Sequence, residues 1–343
     1  MARRFGIGIV GPGVAARPHA LALQALADRV EVRGVYRRDA AKRRAFANQY
    51  DFPEAPSFEA LLADPALDAV LILTPPNARE ALVAAAAAAG KHVLMEKPVE
   101  RTTAAAERIV TLCEAAEVRL GIVFQHRFRA GSQKLASLLA DGALGPIATV
   151  MLNVPWWRPQ SYYDERGRGS FAQDGGGVML TQAIHSLDLM LSLLGPVAQV
   201  AALVGTSTLH RMETEDTVAA GWRFANGAIG GFMATTALYP GGAETLTIGA
   251  GRATATLAGG TLAIDWHNGR RETFGDPPGE SGGGADRMAF PFDWHRGLIA
   301  DFVDAVAAGH DPQSSGRTAL EVHRLIDALL LSSREGRAVD LAG

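Results

Sequence analysis

A glycine turn set between a strand and a helix, at the head of a regular strand–helix alternation, constrains this chain more than any other feature. Between Arg4 and about Val123 the short runs FGIGIV, VEVRGVY, AVLILT, KHVLM and RLGIVF alternate with helical patterns. The helices fall at about 15–27, from about Asp39, after Asn77, and at 102–117. This βαβα order predicts an α/β fold: a doubly wound parallel sheet with helices on both faces. Gly6-Ile7-Gly8-Ile9-Val10-Gly11 formally matches G-x-G-x-x-G, but those glycines lie inside the strand, away from any helix N-terminus. One step later, Gly11-Pro12-Gly13-Val14-Ala15-Ala16 gives G-x-G-x-x-A at the strand–helix junction. There a tight turn, close backbone approach and exposed helix N–H groups can hold a pyrophosphate, so Gly11, Gly13, Val14 and Ala16 are expected to bind a dinucleotide.

The cofactor's type is read at the end of the second strand. An NAD site usually carries an acid there for the ribose hydroxyls, whereas VEVRGVY runs into Arg37-Arg38 and Glu31 is at the wrong end. Two arginines suit a 2′-phosphate, so NADP is expected over NAD, although the pair would also serve as a solvated cluster at a helix entry.

After Phe124 the texture changes. A helix at about 133–140 and the strand IATVMLNV lead into the Trp/Tyr/Arg-rich segment WWRPQSYYDERGRGSF. Beyond Gly175 the segments VAQVAALVG, TVAAGWRF, GAIGGFMATT, TLTIGA and TLAIDW are strand-length and separated by glycines and polar turns. They predict a large open, mostly antiparallel sheet, and two helices at about 295–308 and 317–333 close the chain. Gly275 to Asp286 reads as a surface loop. A chain of 343 residues exceeds what one core usually serves, and the expected division is a Rossmann domain over 1–125 and a substrate-binding, oligomerising α/β domain over 126–343.

Composition narrows the function classes. The net charge of -3 comes from interspersed charges with no long basic run, which argues against nucleic acid as a partner. The single cysteine, Cys113, sits in an apolar-periodic helix as a core thiol and suits a reducing, cytoplasmic setting. Arg3-Arg4 before FGIGIV is read as leading into the first strand of the fold, not as an export signal, and the alanine run before Gly90 is too short to span a bilayer. The remaining histidines show no metal-ligand spacing, so no metal is expected.

Two segments carry chemistry. Glu96-Lys97-Pro98 follows KHVLM, where an open α/β sheet places its ligand crevice; a lysine there can polarise a carbonyl or share a proton with an alcohol oxygen. By itself, a Glu-Lys pair is more often a surface ion pair. The second is GGGVMLTQAIHSLDLML, Gly175 to Leu191. As a helix it is apolar nearly all round and therefore buried, yet Thr181, His185 and Asp188 stand at i, i+4 and i+7 on one face. The stripe is expected to face a crevice, with the glycine triplet bringing backbone close to cofactor or substrate. A lone histidine on an apolar helix is more often a satisfied core residue.

Together, Gly11-Pro12-Gly13 with Ala16, TPPN at Thr74 to Asn77, GKHVLMEKP, FQHRF around Arg127, the glycine triplet with His185 and Asp188, and EGRAVDL near the end resemble the Gfo/Idh/MocA oxidoreductases. The resemblance covers nearly the whole chain. It implies an NAD(P)-dependent dehydrogenase or reductase acting on a sugar, inositol or related cyclic diol, and a homodimer or homotetramer built through the C-terminal sheet. It also implies cofactor contacts from Thr74, Pro75, Asn77, Glu96 and Lys97, with Lys97 the family's EKP lysine and His185 its proton-relay histidine. Many members have Asp four residues before that histidine; this chain has Thr181, so an Asp–His relay does not carry over intact. Asp188, one turn later, is the candidate to orient the imidazole, although a carboxylate there serves the helix's own packing or a cross-domain bond equally well. Substrate contacts are expected from Arg127, Trp156, Trp157, Arg158, Tyr163 and Arg168, beside Thr181 and His185. The aromatic faces can stack on sugar rings, although an aromatic cluster packing a domain edge reads the same way. The rival reading is a cofactor-binding regulator or sensor that keeps the fold without turnover.

Overall fold

The computed structural model describes residues 3–13, 15–275 and 291–341. Val14 and the expected loop beyond Gly275 lie outside the described residues. The chain divides into two units, one of residues 1–125 with 291–320, the other of 126–290 with 321–343.

The first unit is built on a parallel sheet. Among the described residues it holds β1 (Phe5–Val10), β2 (Val30–Tyr36), β3 (Ala69–Ile72), β4 (His92–Met95) and β5 (Leu120–Ile122), in the order β2-β1-β3-β4-β5. The chain leaves β1 toward one side for β2 and returns on the other for β3, so a topological switch lies at the carboxyl ends of β1 and β3. The glycine turn and Thr74 follow those two ends. The strands read as continuous apolar runs because both faces are covered: Ile7, Ile9, Leu71, Ile72 and Leu94 are buried. Gly6 and Gly8 serve packing, since a Cβ at Gly6 would stand 1.9 Å from the carbonyl oxygen of Ala66, and one at Gly8 2.7 Å from Leu61.

The helix Asp293–Ala308 lies late in the sequence, yet its contacts place it in the first unit. Its buried face carries His295, Leu298, Ile299 and Phe302. Phe302 meets Phe5 edge-on at 6.4 Å and leaves no room for a side chain at Gly121. An amphipathic stripe reports that a face is buried but not against which sheet.

The second unit carries β6 (Ile147–Pro155), β7 (Val197–Gly205), β8 (Thr217–Phe224), β9 (Ile229–Thr235), β10 (Thr245–Ala250), β11 (Ala253–Ala258), β12 (Thr261–Trp266), β13 (Arg271–Phe274) and β14 (Val339–Asp340). Among the described residues they form one sheet, β13-β12-β11-β10-β6-β9-β8-β7-β14, antiparallel except where β6 runs parallel to β9. Val150, Leu152, Trp222, Phe232 and Ile248 line its buried face, with Trp222 stacked on Phe232 at 5.4 Å. The alternate residues Met151, Leu203, Ile229 and Met233 point the other way and are exposed. No helix among the described residues is long and apolar enough to cross a membrane.

Candidate active site

In the first unit, β1 ends beside Tyr36 of β2 and Ile72 of β3. Gly11 follows with φ of 71°, a conformation that favours glycine, and its N–H donates to the Tyr36 carbonyl at 2.8 Å. A Cβ there would press on Thr74 at 2.3 Å. Gly13 is different: it is exposed, and among the described residues a Cβ would meet nothing within 4 Å beyond its chain neighbours. The fold does not itself require glycine at this position, whereas a ligand phosphate approaching the backbone does. Arg37 donates from Nη1 to the Pro12 carbonyl, which lays its guanidinium along the turn, and Arg38 beside it is exposed. Ala16 opens the helix Ala16–Ala25 and is fully buried. The Thr74 hydroxyl is buried without a hydrogen-bond partner among the described residues. An open glycine, an orphaned hydroxyl and a cation at the switch point fit a dinucleotide. Pro75 and Asn77 are exposed at the short turn that follows.

The lysine turn is held from beneath by a residue that the sequence reading missed. Arg79 is 2% exposed, and its guanidinium donates to the carbonyls of Thr74 (2.9 Å), Glu96, Lys97 (3.5 Å) and Pro98. Burial pulls Arg79 down to about 10, against the opposing charges of Glu96 and Glu100, so it remains a cation near neutrality. Glu96 faces inward: one carboxylate oxygen meets His19 Nε2 at 2.9 Å and the other accepts the Lys97 N–H at 3.2 Å. Burial alone would raise this carboxyl, but the His19 hydrogen bond and charge, helped by Lys97 and His295, outweigh it and bring it to about 2. His295 meets the His19 ring edge-on at 4.6 Å, and burial drives it down to about 3, which keeps it neutral. The ligating atoms of His19, Glu96 and His295 lie within 4.8 Å of one another, a grouping of distant residues that spacing does not reveal. Through the hydrogen bond and the ring contact, it links two helices to the lysine turn. Lys97 itself is half-buried.

In the second unit the histidine segment is not one uniform helix. Met179–Ala183 forms a π turn, and the α-helix Ile184–Leu194 follows. Such turns often mark functional sites. Thr181 donates its hydroxyl to the Gly177 carbonyl at 2.6 Å, one turn back. Asp188 is fully buried and accepts two hydrogen bonds from Arg127, Nε–Oδ2 at 2.7 Å and Nη2–Oδ1 at 2.5 Å. The glycine triplet has a purpose inside the chain: a Cβ on Gly177 would fall 1.7 Å from the Glu215 carbonyl oxygen. The Glu215 carboxylate accepts the N–H groups of Gly177 (3.0 Å) and Met179 (3.2 Å), satisfying donors at the segment's start. Close approach to Glu215 is by itself a reason for glycine at position 177.

His185 is 7% exposed, and its ring stacks on His126 with centroids 4.9 Å apart and planes 29° from parallel. His126 Nε2 stands 2.6 Å from Arg129 Nη2. Arg129 is buried, donating to Glu244 at 2.6 Å and to the Gly259 carbonyl. Burial lowers the Arg129 pKa and the Glu244 charge opposes this. The aromatic segment packs on itself: Trp156, Arg158 and Tyr163 are buried, Arg158 lies over the Trp156 and Tyr162 rings, and the Tyr163 hydroxyl meets Thr236 Oγ1 at 2.6 Å. Arg168 lies over Tyr162 and beside Glu165 and Asp174, and Trp157 is half-buried against Tyr239.

Residues 5–124 match the oxidoreductase family with an NAD-binding Rossmann fold, and residues 132–256 match the GFO/IDH/MocA C-terminal domain. The chain belongs to the GFO/IDH/MocA oxidoreductases. Among relatives of this GFO/IDH/MocA member, D-xylose 1-dehydrogenase (NADP(+)) 2 of Haloferax volcanii is 29% identical over 98% of this chain and 97% of its own. An uncharacterized oxidoreductase of Synechocystis sp. is 30% identical over 61% of this chain, and the match spans 57% of that relative's length. Among solved structures, the WlbA dehydrogenase of Bordetella pertussis, in complex with NADH and UDP-GlcNAcA, superposes with a TM-score of 0.82 at 29% identity, over 99% of this chain and 100% of its own.

Proposed function

We propose that this chain is an NADP-preferring oxidoreductase, with NAD as the second cofactor, acting on a CH–OH or keto carbon of a sugar, inositol, sugar derivative or related cyclic diol. The observation that carries this reading is the half-buried Lys97, on a turn anchored by Arg79 at the carboxyl end of the parallel sheet. Gly11, Gly13, Ala16, Thr74 and Arg37 are the residues that hold the dinucleotide, with Arg37 and Arg38 at a 2′-phosphate. The Haloferax relative's name carries NADP(+), and the Bordetella structure holds NADH with a sugar nucleotide; both support the class of cofactor and substrate.

When bound, a nicotinamide supplies the hydride acceptor or donor. The chain's part is to manage the proton on the reacting oxygen: Lys97 hydrogen-bonds that oxygen, and His185 exchanges the proton as general acid or base. Arg127, held by Asp188 in a fixed plane, is the cation for a polar substrate group. Thr181 shapes the π turn. The exposed apolar face of the second sheet, with Met151, Leu203, Ile229 and Met233, supports assembly into a homodimer or homotetramer.

Four measurements test this reading. Lys97→Ala and His185→Ala each lower kcat by at least about 10²-fold with NADPH affinity retained; unchanged turnover in either variant removes that residue from the chemistry. NADPH binding with no turnover by the parent chain on any sugar, keto-sugar or cyclic diol would favour a regulator. Arg37→Asp is expected to shift the NADPH-to-NADH affinity ratio by about tenfold or more, as loss of a charge-assisted phosphate contact requires, and an unmoved ratio rejects the 2′-phosphate assignment. Met233→Lys should move the sedimentation coefficient to that of a monomer; an oligomer that persists does not use this face.

A further inference from the structure

The D-x-x-x-H pattern would orient the histidine from its own helix, and that source is missing in this chain: position 181 is Thr, its hydroxyl bonded to Gly177, and Asp188 is engaged by Arg127. A ring packed against His185 comes from the turn Gln125–Phe128, that of His126.

We propose that His126 is the positioning residue for His185: Arg129 locks it as a neutral imidazole, and its flat face sets the plane of the His185 ring. The inference rests on the reading of His185 as the proton-exchanging group. A guanidinium has only donors, so the nitrogen 2.6 Å from Arg129 Nη2 has to be an acceptor. His126 Nε2 is therefore unprotonated, and the ring's single proton sits on Nδ1. A second proton would set two cations in direct contact inside a buried site, where opposing charge is already committed. Glu244 is hydrogen-bonded to Arg129, and Asp188, on the helix that carries His185, is paired with Arg127. Arg129 is itself fixed by Glu244 and the Gly259 carbonyl, so its fork is a rigid template for the His126 ring.

The arrangement suits acid–base work at His185. A neutral neighbour in a near-parallel stack accepts either charge state of His185 across its face, whereas a neighbour that titrated in the same range would repel the protonated form. Arg129 meets His126 and is paired with Glu244, while Asp188, on the helix that carries His185, is paired with Arg127.

The tautomer is tested without reference to activity, by ¹⁵N NMR of the full chain labelled at histidine. The expected His126 spectrum shows a protonated Nδ1 and an unprotonated Nε2 that persist from pH 8 to pH 5. In Arg129→Met the same ring should take up its second proton at a higher pH than in the parent chain. A His126 that takes up a second proton between pH 8 and pH 5 in the parent chain overturns the lock. Positioning is tested by kinetics on folded variants, checked by circular dichroism. His126→Ala is expected to lower kcat on the order of 10-fold to 10²-fold while KM for NADPH holds, and His126→Phe, which keeps a flat face, should recover most of that loss. Equal loss in Phe and Ala, or no loss in Ala, overturns the positioning role. If His185→Ala itself retains turnover, the functional reading fails, and the tautomer measurement still decides the Arg129 lock on its own.

Discussion

The buried guanidinium of Arg79 is the contact on which the rest of the site depends. It gathers carbonyls from the ends of two neighbouring strands: Thr74 after β3, and Glu96, Lys97 and Pro98 after β4. A turn at a strand end leaves its carbonyls without ladder partners, and a buried orphan carbonyl costs about 1–3 kcal/mol. One planar fork removes several such costs together, which a single ammonium does poorly. The consequence is geometric. With its backbone fixed at three successive residues, the turn keeps Lys97 at the sheet's carboxyl end, and Glu96 reaches His19.

The second unit uses the same device twice. Arg127 with Asp188, and Arg129 with Glu244, are ion pairs whose side chains are between fully buried and 11% exposed. Removing such charges from water offsets most of their attraction, so pairs like these are poor sources of net stability. What they supply is orientation. Asp188 holds Arg127 in one plane through two bonds, and Glu244 holds Arg129, which in turn meets His126. Breaking either pair would leave a charge stranded, so each locks its neighbour in place.

Much of this was legible in the chain itself. The β-branched runs and glycine turn predict the parallel sheet, and the shorter runs after Phe124 predict the mostly antiparallel one, because period and turn residues are local signals. Lys97 is flagged by its place after a strand. Arg79 gives no such signal: it sits at the start of an alanine-rich helix and its partners are backbone carbonyls, which sequence does not distinguish. Glu215 lies 38 residues from Gly177, and Arg127 lies 61 from Asp188, so neither partner shows in the local pattern. The π turn was hidden because an all-round apolar segment shows no phase to interrupt. The helix Asp293–Ala308 follows the second sheet in sequence, and only its packing against Phe5 and Gly121 reveals the unit it completes.

The most direct measurement is steady-state turnover and NADPH affinity of Arg79→Lys, which keeps a buried cation but lacks the planar fork. If the fork holds Lys97 where its proposed role requires, kcat falls by about tenfold or more while NADPH binds as before. A variant that turns over at the parent rate would show that the lysine turn holds its shape unaided, and that the guanidinium is not what positions it.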